Sequence, residues 1–271
     1  LCRLSPFLTA IFSNSPLHLG KPSGYKSFRS HIWQNTDGTR SGIPGAFIRK
    51  DFTIEDYIDW ALLASPYHLN RQGEIHELMD HSFRNLMDGS YPQIKTDFED
   101  WKDHLGMLFP EIRIKNIIEI RSIDTLNPEY VLAVPALLQA LIYDETVFGK
   151  LESMMMDLPE NEFPWYQQVA ARDGLAGQVN QINFSHFAKK LMEMALESLT
   201  LSEGCRLALF FDRYTRHGLS PADLVLERFY SADENPLKWI HKELQSDEEK
   251  QSSFINFPCD VDEHPTSWVS H

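Results

Sequence analysis

The sequence predicts an α+β fold, with a partial antiparallel sheet in its first half and a large helical part toward the carboxyl terminus. Two stretches, residues 25–33 and 112–121, alternate apolar and polar side chains as a β-strand does. From residue 128 to about residue 230 the apolar residues recur at helical spacing. The hydrophobic content of 42% suffices for a sizeable core, so we expect most of the chain to fold.

Both predicted strands place functional side chains on one face. Arg29, His31 and Trp33 share a face of the first strand, and Glu119 and Arg121 share a face of the second. An ordinary amphipathic sheet with a solvated face is the alternative interpretation. The mixture of Arg, His and Trp favours a face that binds a charged ligand.

Helix starts and stops follow from capping residues. Thr53 precedes a helix with Asp56 at the reciprocal position of a capping box, and residues 96–99 form a second such box. Asn127 is expected to cap an apolar, buried helix that runs from residue 128 to residue 143 and bends at Pro135. Further helices are predicted over residues 145–156, 162–172, 184–199 and 205–217.

Residues 231–271 are predicted to be an acidic, flexible tail that follows a folded part of residues 1–230.

Composition excludes several classes of protein. The formal charge of −14 argues against nucleic acid and anionic membranes as partners. Cys2, Cys205 and Cys259 lie far apart, which suits a reducing cytoplasm and offers neither a disulfide framework nor a zinc knuckle. His76 and His81 are five residues apart, so one helix face cannot present both to a metal. The chain opens within an apolar segment without Met, which leads us to expect a piece of a longer protein.

Several ordered motifs resemble one known family. They run from Ala10-Ile11-Phe12-Ser13 through Ser27-Phe28-Arg29-Ser30-His31-Ile32-Trp33, Thr36-Asp37-Gly38-Thr39-Arg40, Pro66-Tyr67 and Trp101-Lys102-Asp103-His104 to Glu119-Ile120-Arg121-Ser122-Ile123-Asp124. In this order and spacing the chain resembles the glutamate–cysteine ligases of the plant and proteobacterial type. The resemblance is clearest up to residue 144.

The resemblance implies part of a glutamine-synthetase-like catalytic domain, in which a curved antiparallel sheet carries the ligands. Such enzymes use ATP and Mg²⁺ to convert the γ-carboxylate of glutamate to an acyl phosphate, which the amine of cysteine then attacks. Glutamate, cysteine and ATP would thus be the small-molecule substrates. Arginines suit the anionic groups, and carboxylates suit the metal.

The resemblance also implies roles for individual residues. Glu119 would be a metal ligand, Arg121 would steady the transferred phosphoryl group, Arg29 would grip the glutamate carboxylate, and Tyr67 would line the cysteine pocket. His31, Trp33 and Arg40 are further candidates for substrate binding without assigned roles. For Asp37 and Arg40 a loop ion pair is an equal alternative.

Two departures from the family pattern leave other functions open. Family members carry further metal-binding carboxylates upstream of the position of Leu1, so we expect these 271 residues alone to be inactive. The family's Arg-Gly-Ala-Asp reads Arg121-Ser122-Ile123-Asp124 here. The alternatives are a γ-glutamyl ligase with another amine acceptor, including relatives from ergothioneine synthesis, and a non-catalytic fragment that binds a ligand or a partner.

Overall fold

A computed structural model describes residues 1–71, 73–78, 80–89 and 95–231, in which helices and short strands alternate. The helices are α1 (Ser5–Ile11), α2 (Phe28–Gln34), α3 (Ile54–Leu63), α4 (Phe83–Met87), α5 (Phe98–Gly106), α6 (Ala133–Tyr143), α7 (Glu145–Met156), α8 (Phe163–Asp173), α9 (Phe184–Ser198), α10 (Leu201–Arg213) and α11 (Pro221–Ser231). The strands are β1 (Leu17–His18), β2 (Lys21–Pro22), β3 (Ser41–Gly42), β4 (His68–Arg71), β5 (Glu74–Glu77), β6 (Phe109–Pro110), β7 (Ile112–Ile114), β8 (Ile118–Ile120), β9 (Gln178–Val179) and β10 (Ile182–Asn183). This mixture of helix and sheet confirms the predicted α+β class.

The chain separates into two compact units. The first comprises Leu1–Ser5 and Ile32–Ser122, and the second comprises Pro6–His31 and the chain from Ile123 onward. The predicted tail lies beyond the described residues except for Ser231, so a boundary near residue 230 stays a prediction.

Short strand pairs and three helices build the first unit. Strands β3 and β6 pair in parallel, whereas β4 with β5 and β7 with β8 form antiparallel hairpins. Phe47, Tyr57, Ala61 and Leu108 form a buried cluster beneath α3. Within the described residues each sheet has two strands, so the structure shows small sheets and no larger curved one.

Helices dominate the second unit. Helix α6 packs against α7, α9 and α10, and its Leu137 and Leu141 are fully buried. Phe7 lies on α1, and its ring stacks on that of Phe187 on α9 with 4.0 Å between centroids. The predicted helices near residues 145–156, 162–172, 184–199 and 205–217 are confirmed to within a few residues as α7 to α10.

The predicted capping boxes are present, one of them shifted. The Thr53 side chain accepts a hydrogen bond from the Asp56 amide, and the Asp56 side chain accepts one from the Thr53 amide. At α5 the box is formed by Asp97 and Asp100, one residue later than predicted from Thr96. Asp is the better N-cap residue of the two, which explains the shift.

The predicted strand over residues 25–33 is wrong. Residues Phe28–Gln34 form helix α2. Phe28 and Ile32 are four residues apart, so the same pattern that fits one face of a strand also fits one turn of helix. The hydroxyl of Ser27 accepts a hydrogen bond from the Ser30 amide at 3.1 Å, a local interaction that starts a helix. The predicted antiparallel sheet that contains both residues 25–33 and residues 112–121 is therefore also wrong.

Two further segments differ from their predictions. Residues 112–121 form the β7–β8 hairpin rather than one strand, with a turn at residues 115–117. Helix α6 begins at Ala133 instead of residue 128. This later start places Pro135 in the first helical turn, where its missing amide hydrogen removes no hydrogen bond, so no bend is needed.

Two findings concern membranes and cysteines. No helix in the described part of the chain is both long and apolar enough to cross a bilayer. Among the described residues, Cys2 is a half-buried free thiol.

Candidate functional site

The β7–β8 hairpin surrounds Glu119 with cations. Its register places Arg113 directly opposite Glu119. Nε of Arg113 donates a hydrogen bond to Oε2 of Glu119 at 2.8 Å, whereas Nζ of Lys115 lies 3.6 Å from Oε1 and Nη1 of Arg121 lies 3.9 Å from Oε2. Burial raises the pKa of Glu119, but the hydrogen bond and charge of Arg113 outweigh it, followed by the charge of Lys115, so this pKa lies below its usual value. Glu119 is therefore an anion held by cations.

Arg121 lies between the hairpin and two aromatic rings. Its guanidinium carbon lies 5.6 Å from the ring centroid of Trp33 and 5.4 Å from that of Phe109. These distances are typical of cation–π contacts. Its amide donates to the carbonyl of Glu111 at 2.8 Å, which fixes the backbone at the end of β8. The structure thus brings together three predicted residues, Arg121, Trp33 and Glu119.

Arg40 and Tyr67 form a second cluster in the same unit. The Arg40 side chain is 3% exposed, and its guanidinium carbon lies 3.8 Å from the ring centroid of Tyr67. Nε of Arg40 donates to Oδ2 of Asp37 at 2.6 Å, so the predicted loop ion pair is present. Nη1 of Arg40 has no hydrogen-bond partner among the described residues. A buried guanidinium with an unused donor suits an anionic ligand.

His104 is a buried histidine for which the sequence predicted no role. Its Nε2 lies 2.7 Å from the Ala61 carbonyl, and its ring stacks on Phe83 with 4.6 Å between centroids. Burial lowers the pKa of His104; the hydrogen bond to the Ala61 carbonyl opposes this in part, and the charge of Arg40 adds a smaller lowering effect. His104 is therefore neutral near pH 7, with Nε2 as the donor to the carbonyl.

Arg29 and His31 belong to the second unit, unlike the other predicted residues. Both lie on α2, where the His31 ring stacks on Tyr25 with 3.9 Å between centroids. The Arg29 amide donates to the hydroxyl of Ser15 at 3.1 Å. The proposed shared strand face of Arg29, His31 and Trp33 is thus replaced by a helix, and their roles stay predictions.

Sequence reasoning missed Arg113 as the main partner of Glu119. The signal was available, because Lys115 and Asn116 can form a turn between two alternating stretches, Ile112–Ile114 and Ile118–Ile120. Folding that segment as a hairpin would have placed Arg113 beside Glu119.

The described residues do not fit a magnesium ion by themselves. No group of three or more His, Cys, Asp or Glu side chains in the described part of the chain could hold a metal. Glu119 lies among three cations rather than other carboxylates. Mg²⁺ prefers several oxygen ligands, so Glu119 would need ligands from elsewhere.

Curated relatives of this chain are chloroplastic glutamate–cysteine ligases. The chain is 32% identical over 233 residues to the enzyme of Nicotiana tabacum, which is 84% of this chain and 44% of that protein. It is 31% identical over 247 residues to the enzyme of Solanum lycopersicum, covering 89% of this chain and 47% of the relative. The Arabidopsis thaliana enzyme is 30% identical over 232 residues, with coverages of 83% and 44%. The chain therefore spans about half the length of these relatives.

These names correct the expected cytoplasmic localisation. Each of these relatives is a chloroplastic protein, so the expectation drawn from the scattered cysteines is wrong. Scattered cysteines indicate a redox environment and do not identify a compartment.

Family assignment rests on almost the whole chain. The sequence profile of glutamate-cysteine ligase family 2 (GCS2) matches residues 1–251. The match includes both clusters around Arg40 and Arg121. The chain belongs to glutamate-cysteine ligase family 2.

Proposed function

We propose that this chain serves an ATP-dependent ligase that joins the γ-carboxylate of glutamate to the amine of cysteine, the first step of glutathione synthesis. The observation that carries this proposal is membership of glutamate-cysteine ligase family 2 over residues 1–251. The names of the relatives add a plastid as the location. A glutamine-synthetase-like arrangement of the catalytic domain belongs to the same proposal.

The reaction requires sites for anions at each stage. ATP transfers its terminal phosphoryl group to the γ-carboxylate, which gives an acyl phosphate and ADP. The cysteine amine then attacks the carbonyl carbon and phosphate leaves. Both amino acids carry carboxylates, and the nucleotide and the intermediate are anionic, so positioning by guanidinium groups and stabilisation of negative charge carry most of the catalysis.

In this proposal the Arg121 cluster faces the transferred phosphoryl group. Its guanidinium is supported by the rings of Trp33 and Phe109, which restrict the side chain without neutralising its charge. The carboxylate of Glu119, 3.9 Å from Nη1 of Arg121, is bound more closely by Nε of Arg113 at 2.8 Å. Glu119 is proposed as a metal ligand together with groups outside the described residues.

The Arg40–Tyr67 pair is proposed to bind cysteine. The guanidinium carbon of Arg40 lies over the Tyr67 ring at 3.8 Å from its centroid, and Asp37 fixes the Nε end. The unused Nη1 donor can then meet the substrate carboxylate. Arg29 is proposed to grip a carboxylate of glutamate, and His31 is a further substrate-binding candidate on the same helix.

Ligand titrations of the 271-residue chain test these binding roles. L-Glutamate and L-cysteine should each show saturable binding by calorimetry under reducing conditions, whereas L-alanine, which lacks both functional side chains, should not. Binding of glutamate without cysteine would favour the ligase with another amine acceptor. No binding of either would favour a non-catalytic relative.

A further inference from the structure

A buried carboxylate anchors the start of helix α2. Asp124 is 4% exposed. Its Oδ1 accepts a hydrogen bond from the hydroxyl of Ser27 at 2.9 Å. Its Oδ2 accepts one from the hydroxyl of Ser15 at 2.7 Å and one from the amide of Asn14 at 2.8 Å. Three donors thus converge on one acceptor-only group.

The same two hydroxyls cap the first turn of α2. Oγ of Ser15 accepts from the Arg29 amide at 3.1 Å, and Oγ of Ser27 accepts from the Ser30 amide at 3.1 Å. Amides in the first turn of a helix have no partner within that helix. Because each hydroxyl gives its only hydrogen to Asp124, its lone pairs are oriented toward these amides. Asp124 therefore orients both caps at once.

The amide of Phe28 completes this arrangement. It donates to the Ser15 carbonyl at 3.0 Å, so the first three amides of α2 are all bonded to Ser15 or Ser27. A negative charge near a helix start is also favourable for the helix dipole. The local backbone that carries Arg29 is consequently fixed through Asp124, whose hydrogen bond with the Asn14 amide joins residues 110 positions apart in the sequence.

We propose that Asp124 is a positioning residue that holds Arg29 in its glutamate-binding orientation. The role of Arg29 rests on the proposed function, whereas the anchoring of α2 does not. A guanidinium acts on a carboxylate through two directed N–H groups, so small shifts of its backbone weaken the contact. The change Asp124→Asn replaces one acceptor with an NH₂ donor. That donor would face another donor, such as the Asn14 amide, and release part of the cap.

Hydrogen exchange of the 271-residue chain tests the anchoring directly. In Asp124→Asn the amides of Arg29 and Ser30 should exchange at least tenfold faster, while amides of α9 keep their protection. Asp144→Asn is the matched control, because Asp144 caps α7 in the same unit through the Val147 amide at 2.9 Å. Because Asn caps a helix about as well as Asp, that control should change the exchange of Val147 little and leave Arg29 unchanged. Ser15→Ala should reproduce the effect at Arg29, and Ser15→Thr, which keeps the hydroxyl, should largely reverse it.

A glutamate titration of the same variants tests the consequence for binding. The Kd for L-glutamate should rise at least tenfold in Asp124→Asn and stay within twofold in Asp144→Asn. Unchanged exchange at Arg29 and Ser30 in Asp124→Asn would overturn the anchoring. Faster exchange with an unchanged Kd would overturn the link to glutamate. If the unaltered chain binds no glutamate, the proposed role of Arg29 fails, and the exchange data still decide whether Asp124 fixes the helix.

Discussion

Arg113 and Glu119 lie opposite each other across the β7–β8 hairpin, where Nε of Arg113 donates a 2.8 Å hydrogen bond to Oε2 of Glu119. Arg121, two residues after Glu119 and on the same strand face, is 3.9 Å from the same oxygen. The carboxylate that the family resemblance makes a metal ligand is therefore bound first to a structural arginine.

Glu119→Gln should lower the stability of the chain near pH 7 by up to about 1 kcal/mol, as for a partly exposed ion pair. Because the pKa of Glu119 is lowered on folding, its contribution is fully present above the unfolded value near 4.3 and is lost as the pH falls further. Urea unfolding at pH 7 and pH 3 measures the difference between the variant and the unaltered chain, which should be smaller at pH 3 than at pH 7. Glu99→Gln, at an exposed pair with Lys102, is the control and should have little effect at either pH.

Arg29→Ala should weaken glutamate binding far more than ATP binding. Loss of a buried contact between arginine and carboxylate costs roughly 2–5 kcal/mol, so the Kd for glutamate should rise at least about 30-fold. Calorimetric titration measures both ligands. Arg216→Ala, which removes an arginine that is ion-paired with Asp212, should leave both affinities unchanged. Equal losses for glutamate and ATP would indicate a folding defect or a phosphate-binding role.

Tyr67→Leu should weaken cysteine binding, because Arg40 loses the ring on which it stacks at 3.8 Å. A cation–π contact contributes about 0.5–2 kcal/mol, which corresponds to roughly a 2- to 30-fold higher Kd. Tyr67→Phe keeps the ring and should change the Kd less than twofold. Tyr143→Leu, at an exposed tyrosine of α6, controls for the loss of an aromatic residue. Equal effects of Leu and Phe at position 67 would assign the role to the hydroxyl instead.

His104 should make the chain less stable in mild acid. Its pKa is lowered on folding, so as the pH falls below about 6.5 the unfolded chain binds more protons than the folded chain. Stability should therefore decrease from pH 7 toward pH 5.5. His104→Gln can keep a donor for the Ala61 carbonyl without titrating, and it should flatten that dependence of Tm on pH. His186→Gln, at an exposed histidine, should not flatten it.

Local chemistry made part of the fold predictable. The capping box of Thr53 and Asp56 was read correctly because its two hydrogen bonds lie within four residues. Helices α7 and α9 were predictable because a helical pattern over 12 and 15 residues has no strand equivalent. The seven-residue helix α2 was mistaken for a strand, because the spacing of Phe28 and Ile32 fits both the two-residue period of a strand and the 3.6-residue period of a helix.

The site was predictable in its residue types more than in its contacts. Arg40, Tyr67, Glu119 and Arg121 were selected from motifs, but spacing alone did not show that Arg40 stacks on Tyr67 across 27 residues of sequence or that Arg113 holds Glu119. The anchoring of α2 by Asp124 was also not predictable, because it depends on hydrogen bonds between residues 97 to 110 positions apart.

The most direct test of the central claim is ligation by a chimaera. The 271-residue chain replaces the matching segment of the Nicotiana tabacum enzyme, of which it covers 44%. Mass spectrometry would detect γ-glutamylcysteine, and a coupled assay would measure ADP release with ATP, Mg²⁺, glutamate and cysteine. We predict equal amounts of dipeptide and ADP, loss of both without cysteine, and no turnover by the isolated chain. A folded chimaera that binds glutamate and ATP but forms no γ-glutamylcysteine would contradict the proposed function.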